Sequence, residues 1–554
     1  MLHRAQRIRL AALTVVCLGV VLGTCWTNPA QAQSQGKKAG KKSEKKKDDK
    51  SGQQASLKLP PLKTPEDKLK FLEVIRDSMP ARKQTTTVTY SPSDLDKALT
   101  FELKLPADKY AKPISDERFV RRAYLDLTGT PPSAKVVTDF VQSSETRKRA
   151  KLVDELLDTD DYARRWARYW RNVIFFNSTA PRNKVNPQAL EDWFAKEFKN
   201  NVPWDRMVSE MVSQTPKFNK AKKDDNNEWG QKYGPNNFVL AYDNDPTDIA
   251  SHTARLFMGI NIQCAECHDH PFDKWKREQF HELAAFFAPS KYYMPDKDDP
   301  SKKSEVHAQF LLGETPPPDL KPDALRVAVA AYLIYNNDNY WFARAYVNRI
   351  WNELIGDGFY SVDSLGPDKE SLHPIVLNRL ASLFRYKNFD HKWLFRTIMN
   401  SETYQREIRT IDERDEFFSA VRPMRLNADE VAESIEHVAG DLGRLNRGVQ
   451  KAFKQDPSKP QADQRGSMQQ ALLLMNNAPL QKQLKQSELR KKLVATKSNE
   501  QLVKDLYLGA LARSPTEKEM TRGISHLKKS GSREDAVDDL LWVLTNSAEF
   551  ITKR

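Results

Sequence analysis

Cysteine is scarce in this 554-residue sequence, with four in all. Cys17 and Cys25 lie near its start, so only Cys264 and Cys267 remain for the rest of the chain. A secreted fold stapled by disulfides needs more, and this one must rest on its core. After the first residues no run is long and apolar enough to cross a bilayer. Alternating β-branched runs are also rare. The best, QTTTVTYS, is short, which argues against a mainly β fold. There is no G-x-S-x-G, Walker loop, H-E-x-x-H or Rossmann glycine pattern, so the usual signatures of hydrolases, nucleotide binders and zinc proteases are missing. A concentrated basic field is missing too. The formal charge is +14, but Arg4, Arg7, Arg9 and the tract KKAGKKSEKKKDDK supply eight of those charges. The rest, about +6, is too diffuse to argue for specific nucleic-acid binding.

The start of the chain is informative. Arg4, Arg7 and Arg9 precede an apolar stretch from Leu10 to Leu22, and Ala30-Gln31-Ala32 follows. This pattern predicts a secretory signal peptide over 1–32, with the mature chain beginning near Gln33. The apolar stretch is short for an uncleaved anchor, which needs about 20 residues. A lipoprotein reading at Cys25 is weakened by Thr24 before it. The expectation is an exported protein of the periplasm or cell envelope, with no transmembrane segment once mature. Residues 33–85, with their Lys-rich tract, are expected to form a disordered basic tether, because such a stretch cannot bury enough surface to offset the entropy of ordering.

Beyond the tether the periodicity is helical. Leu152, Val153, Leu156 and Leu157 form one stripe, and Trp166, Tyr169, Trp170 and Val173 another. Val347, Ile350, Trp351 and Leu354 repeat the device, with Gly356 and Gly358 as the stop. Val537, Leu540, Leu541 and Leu544 repeat it again. The fold class is therefore mostly α. The stretches YYMPDKDDPSKKSEVH and GETPPPDLKPD break the composition. They suggest a first helical domain over 86–290, a linker over 291–305 and a second helical domain over 306–554. Trp351 and Trp542 lie on or beside apolar stripes and are expected to be buried.

The chemistry concentrates in CAECHDHPFDKW, residues 264–275. Cys264-x-x-Cys267-His268 fits the attachment pattern of a c-type haem. Two cysteines three apart can both reach one edge of a porphyrin and form thioethers, and the next His can ligate its iron. Met258, His252, His270 and His281 are local candidates for the sixth ligand, and an open site is equally allowed. Three other readings stay open. The cysteines can form a redox dithiol or a disulfide. With His268 or His270 and His252 or His281 they can complete a zinc tetrahedron. Or the segment is a loop without a ligand. Pro271 disfavours helix at His270, which places the motif in a loop or at a helix start. Two further features read as structural. His373 beside Pro374 caps or packs, and Asp243, Asp245 and Asp248 form a helix N-cap with solvated neighbours sooner than a cation site.

Longer motifs carry a resemblance. SDERFVRRAYLDLTGTPPS, RAKLVDELLDTDDYARRWARYWRNVIF and MGINIQCAECHDHPFDKWKREQFHELAAFFA resemble the planctomycete cytochrome-c-associated family DUF1549. FLLGETPPP, YWFARAYVNRIWNELIGDGF, SLHPIVLNRLASLF, WLFRTIMNSETYQ, RPMRLNADEVAESI and LLWVLTNSAEF resemble its companion, DUF1553. The resemblance implies an exported planctomycete protein, or one from a close relative, with haem c on Cys264, Cys267 and His268 for electron transfer or redox chemistry. Many relatives carry an added N-terminal cytochrome c domain. Here the Lys-rich tether stands in its place and no second CxxCH occurs, so electrons would have to pass to and from redox partner proteins. The rival expectation is a non-enzymatic module of the cell envelope that binds a partner or a polysaccharide, with the cysteines as a disulfide or zinc site. A zinc-dependent hydrolase is the third, and it lacks a general base beside the cysteines.

Overall fold

A computed structural model of the chain describes residues 62, 64–79, 89–216, 230–299, 301–365, 371–413 and 416–553. The expected signal peptide and the Lys-rich run 37–50 lie outside them. The fold is mostly α: twenty-three α-helices and two short antiparallel strand pairs are present among the described residues. No described helix is long and apolar enough to cross a membrane.

The predicted stripes are buried, except that Leu540 is only partly covered. Asp160–Phe175, capped by Thr159, buries Trp166, Tyr169, Trp170 and Val173. Trp341–Ile355 runs through the core with nearly every residue buried and stops at Gly356, whose φ is +100°. Two expectations need correction. Residues 65–78, placed by the sequence in a disordered tether, form a helix. Thr64 and Asp67 make a reciprocal capping box there, and Phe71, Leu72 and Ile75 are buried against helix Pro322–Tyr335. The apolar i, i+1, i+4 set was hidden in the sequence by its many charged neighbours. Trp542 is 36% exposed, unlike the fully buried Trp351. On helix Arg533–Thr545 the covered stripe is Val537, Leu541 and Leu544, and Trp542 lies one step round from it.

The stretch 291–305, expected as a linker, holds most of a surface β-hairpin in which Tyr292–Pro295 pairs with Lys303–Val306. Its chain charges face solvent. One hydrophobic core takes side chains from both sides of this hairpin, from Phe71 to Met424, and adds Leu508 and Ala512. A second core is built from residues 426–550, and Leu125 joins it from the earlier chain. The strand pair Met424–Arg425 with Thr552–Lys553 ties the last residues back to the point where the two cores meet.

Candidate functional site

The cysteine motif sits between two helices, and local chemistry dictates how it is reached. Asp245 caps helix Pro246–Thr253 by accepting from the backbone N–H of Thr247 (2.9 Å) and Asp248 (3.1 Å). Asp243 instead meets Lys184 at 2.7 Å, and Asp248 accepts from Thr179 at 3.1 Å. These aspartates are a cap and its paired neighbours. The helix runs on through a π turn, Ala254–Met258, and ends at Gly259 with φ +69°. Any Cβ at Gly259 would collide with the side chain of Leu365, whose N–H donates to the Gly259 carbonyl at 2.6 Å. Left-handed backbone and close approach together require glycine here.

A single 3₁₀ turn, Gln263–Glu266, follows. With three residues per turn, positions i and i+3 eclipse one another. Ala265 points inward and is fully buried. Cys264 and Cys267 therefore share the outer side, where both are exposed, free thiols. His268 is exposed, and its Nδ1 lies 2.7 Å from the Asp269 carbonyl. A carbonyl only accepts, so Nδ1 carries a hydrogen, while Nε2 has no protein partner among the described residues. The Asp269 carboxylate takes the Lys276 ammonium (2.7 Å) and the Arg277 N–H (3.2 Å), which fixes the start of helix Arg277–Ala285. These contacts hold the Asp269 carboxyl below the ordinary carboxylate range, the Lys276 hydrogen bond foremost.

The other histidines do different work. His281 is buried, with Nε2 3.0 Å from the Glu266 carbonyl and Nδ1 2.8 Å from the Tyr292 hydroxyl. The carbonyl forces the hydrogen onto Nε2, so Tyr292 donates to Nδ1. Burial lowers the His281 pKa, in keeping with this neutral ring. Both nitrogens are engaged in stapling the cysteine turn to the hairpin. His270 accepts the Phe272 N–H on Nδ1 at 3.2 Å, which puts its hydrogen on Nε2. His252 is buried, stacked on Tyr242 with ring centroids 3.9 Å apart, and burial brings its pKa to about 4. Met258 lies in the core. None of the four sixth-ligand candidates presents a bare donor atom at the exposed turn. Among the described residues no three His, Cys, Asp or Glu side chains gather as a metal-binding group, so the zinc tetrahedron is not assembled.

The rest of the motif divides between core and surface. Trp275 is buried 6.0 Å from Trp341. Phe272 is 83% exposed beside the exposed Pro271. Elsewhere His373 packs 5.2 Å from Phe418 at the start of helix Pro374–Tyr386, with φ +46° and no capping hydrogen bond from its side chain.

Residues 94–292 match the PSCyt2 family, described as a protein of unknown function (DUF1549), and residues 326–467 match PSD1, described as a protein of unknown function (DUF1553). The chain carries a PSCyt2 region followed by a PSD1 region. No curated protein and no solved structure matches it.

The PSCyt2 and PSD1 regions together line a second feature, a cavity of about 270 Å³. PSCyt2 contributes Arg165 and Tyr169 from helix Asp160–Phe175. PSD1 contributes Glu353 from helix Trp341–Ile355, Glu430 from helix Ala428–Ala439, and Gln461. Arg165, Glu353 and Glu430 are 5%, 2% and 1% exposed. Nothing in the sequence reading singled these out. The available signal was charge inside a buried stripe: Arg165 precedes Trp166, and Glu353 stands between Trp351 and Leu354.

Proposed function

We propose that the turn Gln263–His268 is the attachment site of one haem c, and that this PSCyt2–PSD1 protein relays electrons outside the cytoplasm between redox partner proteins. The observation that carries the reading is the sharing of one exposed turn by two free thiols and an imidazole nitrogen that no described residue engages. The residues fit the group. Cys264 and Cys267 would hold its vinyl edge as thioethers, and His268 Nε2 would ligate the iron. A haem held there supplies reversible one-electron chemistry.

The chain's own contribution is to fix the turn. The Asp269 carbonyl orients the His268 ring and sets its tautomer, the usual task of a partner behind a ligating histidine. Buried Ala265 anchors the turn, and His281 ties the Glu266 carbonyl to the helix behind it. Because the cysteines are exposed, the fold does not depend on them. Export fits the reading, since the Arg-rich start and Ala30-Gln31-Ala32 would bring the chain to the compartment where bacterial haem attachment takes place.

The test is expression of the full chain with its leader in a host that attaches haem outside the cytoplasm. Denatured protein should carry the mass of one extra haem. Cys264→Ser with Cys267→Ser should lose it while the circular dichroism stays unchanged. His268→Ala should alter the iron spectrum. A colourless chain with a Cys264–Cys267 disulfide would overturn the reading in favour of a redox dithiol or an envelope-binding module, which the exposure of both free thiols also allows.

A further inference from the structure

Helix Met468–Asn476 carries its apolar side outward. Met468, Ala471, Leu472 and Met475 are all exposed, Met468 at 78%. At 3.6 residues per turn they share an arc of about 100°. The residues this helix buries, Gln470 and Leu474, lie on the opposite side. An amphipathic helix ordinarily turns such a stripe to the core. Trp542 enlarges the surface: its indole N–H donates to the Met475 carbonyl at 3.4 Å, and the residue is exposed. Scattered apolar side chains are ordinary on a surface, but a contiguous stripe of them marks a contact face.

The charge around this helix is one-sided. Residues 441–497 hold twelve Lys and Arg against four Asp and Glu, a net of +8. All of the twelve except Arg490 are exposed. Arg447 and Lys451 lie on helix Asn446–Ala452, which packs beside the stripe-bearing helix; Gln470 Nε2 donates to its Ala452 carbonyl at 3.1 Å. Lys482 and Lys485 lie on helix Ala478–Gln486, which is tied back where Gln481 donates to the Leu474 carbonyl at 3.0 Å. Arg447, Lys451 and Lys482 form no ion pair among the described residues. Asp538, one turn before Trp542, is held by Arg490 at 2.6 Å.

An occupant must answer both features. A second copy of the chain would set one basic face against another. The Lys-rich run 37–50 has the same sign and would be repelled too. A polyanion without an apolar side would leave Met468 and Leu472 in water. An acidic partner helix needs a groove, whereas Met468–Asn476 is convex, burying two of its nine residues. The surface of an anionic bilayer answers both. The apolar side chains sink to the acyl boundary, the flanking cations meet lipid phosphates, and tryptophan suits the interface. No described helix can cross a membrane, and a helix that lies on one need not.

We propose that helix Met468–Asn476, with Trp542 and the cations of the flanking helices, docks the protein on the surface of an anionic lipid bilayer. The proposal is independent of haem. Its test is flotation of the full chain with vesicles of phosphatidylcholine containing about one-third phosphatidylglycerol, against vesicles of phosphatidylcholine alone. The anionic vesicles should capture the protein roughly tenfold better, and salt should weaken the capture. Met468→Ser with Leu472→Ser and Met475→Ser should reduce partitioning by about tenfold, and Arg447→Gln with Lys482→Gln by a similar factor. These side chains are exposed, so circular dichroism should stay unchanged. Lipid brominated in its acyl chains should quench tryptophan fluorescence, and Trp542→Phe should remove most of that quenching. The loss in the apolar variant should persist when Lys45, Lys46 and Lys47 are replaced by Gln, which separates the pull of the Lys-rich run. Four results would overturn the proposal: no capture by anionic vesicles, capture that the apolar variant leaves unaltered, capture that depends on the Lys-rich run alone, or binding of poly-glutamate in place of vesicles, which would assign the face to an acidic protein partner.

Discussion

Lys553 is the penultimate residue of the sequence, yet it is 2% exposed. Its ammonium lies 2.9 Å from Asp126 Oδ1, outside hydrogen-bond geometry, and 3.2 Å from Glu430 Oε1. Glu430 in turn meets Arg165, and the second oxygen of Asp126 accepts from the Tyr404 hydroxyl at 2.8 Å. Lys553→Met keeps most of the length and apolar stem of the side chain and removes the ammonium group. Three buried carboxylates, Asp126, Glu353 and Glu430, are then left with Arg165 as their one close cation within this cluster. Breaking a buried ion pair by removing one partner costs about 3–5 kcal/mol, because the other charge stays desolvated. The variant should lose that much in urea unfolding followed by far-UV circular dichroism. Adding Asp126→Asn removes a charge and keeps an acceptor for Tyr404, so the double variant should be more stable than the sum of the single losses predicts. The pH dependence has a definite sign. Burial opposes the charge of Lys553, but Asp126 and Glu430 outweigh it and raise the pKa above 10.5. The contribution is whole below pH 10.5 and disappears as pH climbs through the raised value. A loss under about 1 kcal/mol for Lys553→Met, or strict additivity in the double variant, would refute the account.

Acid should destabilise the fold through His391, which is buried and donates from Nε2 to the Val202 carbonyl at 2.9 Å while Nδ1 faces the Tyr346 hydroxyl at 2.5 Å. Burial brings its pKa down to about 4. Its stabilisation is present above pH 6.5 and drains away towards pH 4, by about 3 kcal/mol; His391→Gln should flatten that part of a stability–pH curve, and an unchanged slope would contradict it. Glu519 is held at about 2, first by its hydrogen bonds from Arg513. Its contribution should vanish as pH falls from 4.5 towards 2, so Glu519→Gln should lower the urea midpoint at pH 6 and have little effect at pH 2. Gly259→Ala should cost about 1–3 kcal/mol in thermal unfolding, because the left-handed backbone and Leu365 both oppose a Cβ. A neutral result there would mean that the turn before Cys264 is not built on this glycine.

The sequence by itself determined most of the helices, because their signals are local. The spacing of Leu152, Val153, Leu156 and Leu157, or of Val347, Ile350, Trp351 and Leu354, fixes an apolar face within one element, whatever that face later meets. It also pointed to a loop or a helix start for Cys264, Cys267 and His268, since Pro271 disfavours helix at His270. What it left open depended on partners far along the chain. Arg165 lies among other charges in YARRWARYW and reads as solvated. It is buried because Glu430, 265 positions away, and Glu353 reach it through the fold. Trp542 differs from Trp351 for the same reason, since a stripe says which residues share a face but not how wide a neighbour covers it. The histidines near the motif looked alike as ligands. Tertiary hydrogen bonds separated them, engaging both nitrogens of His281 and only one of His268. Local periodicity specifies elements, whereas burial of charge and the state of a ring nitrogen are set by whichever distant atoms the packing brings within about 3 Å.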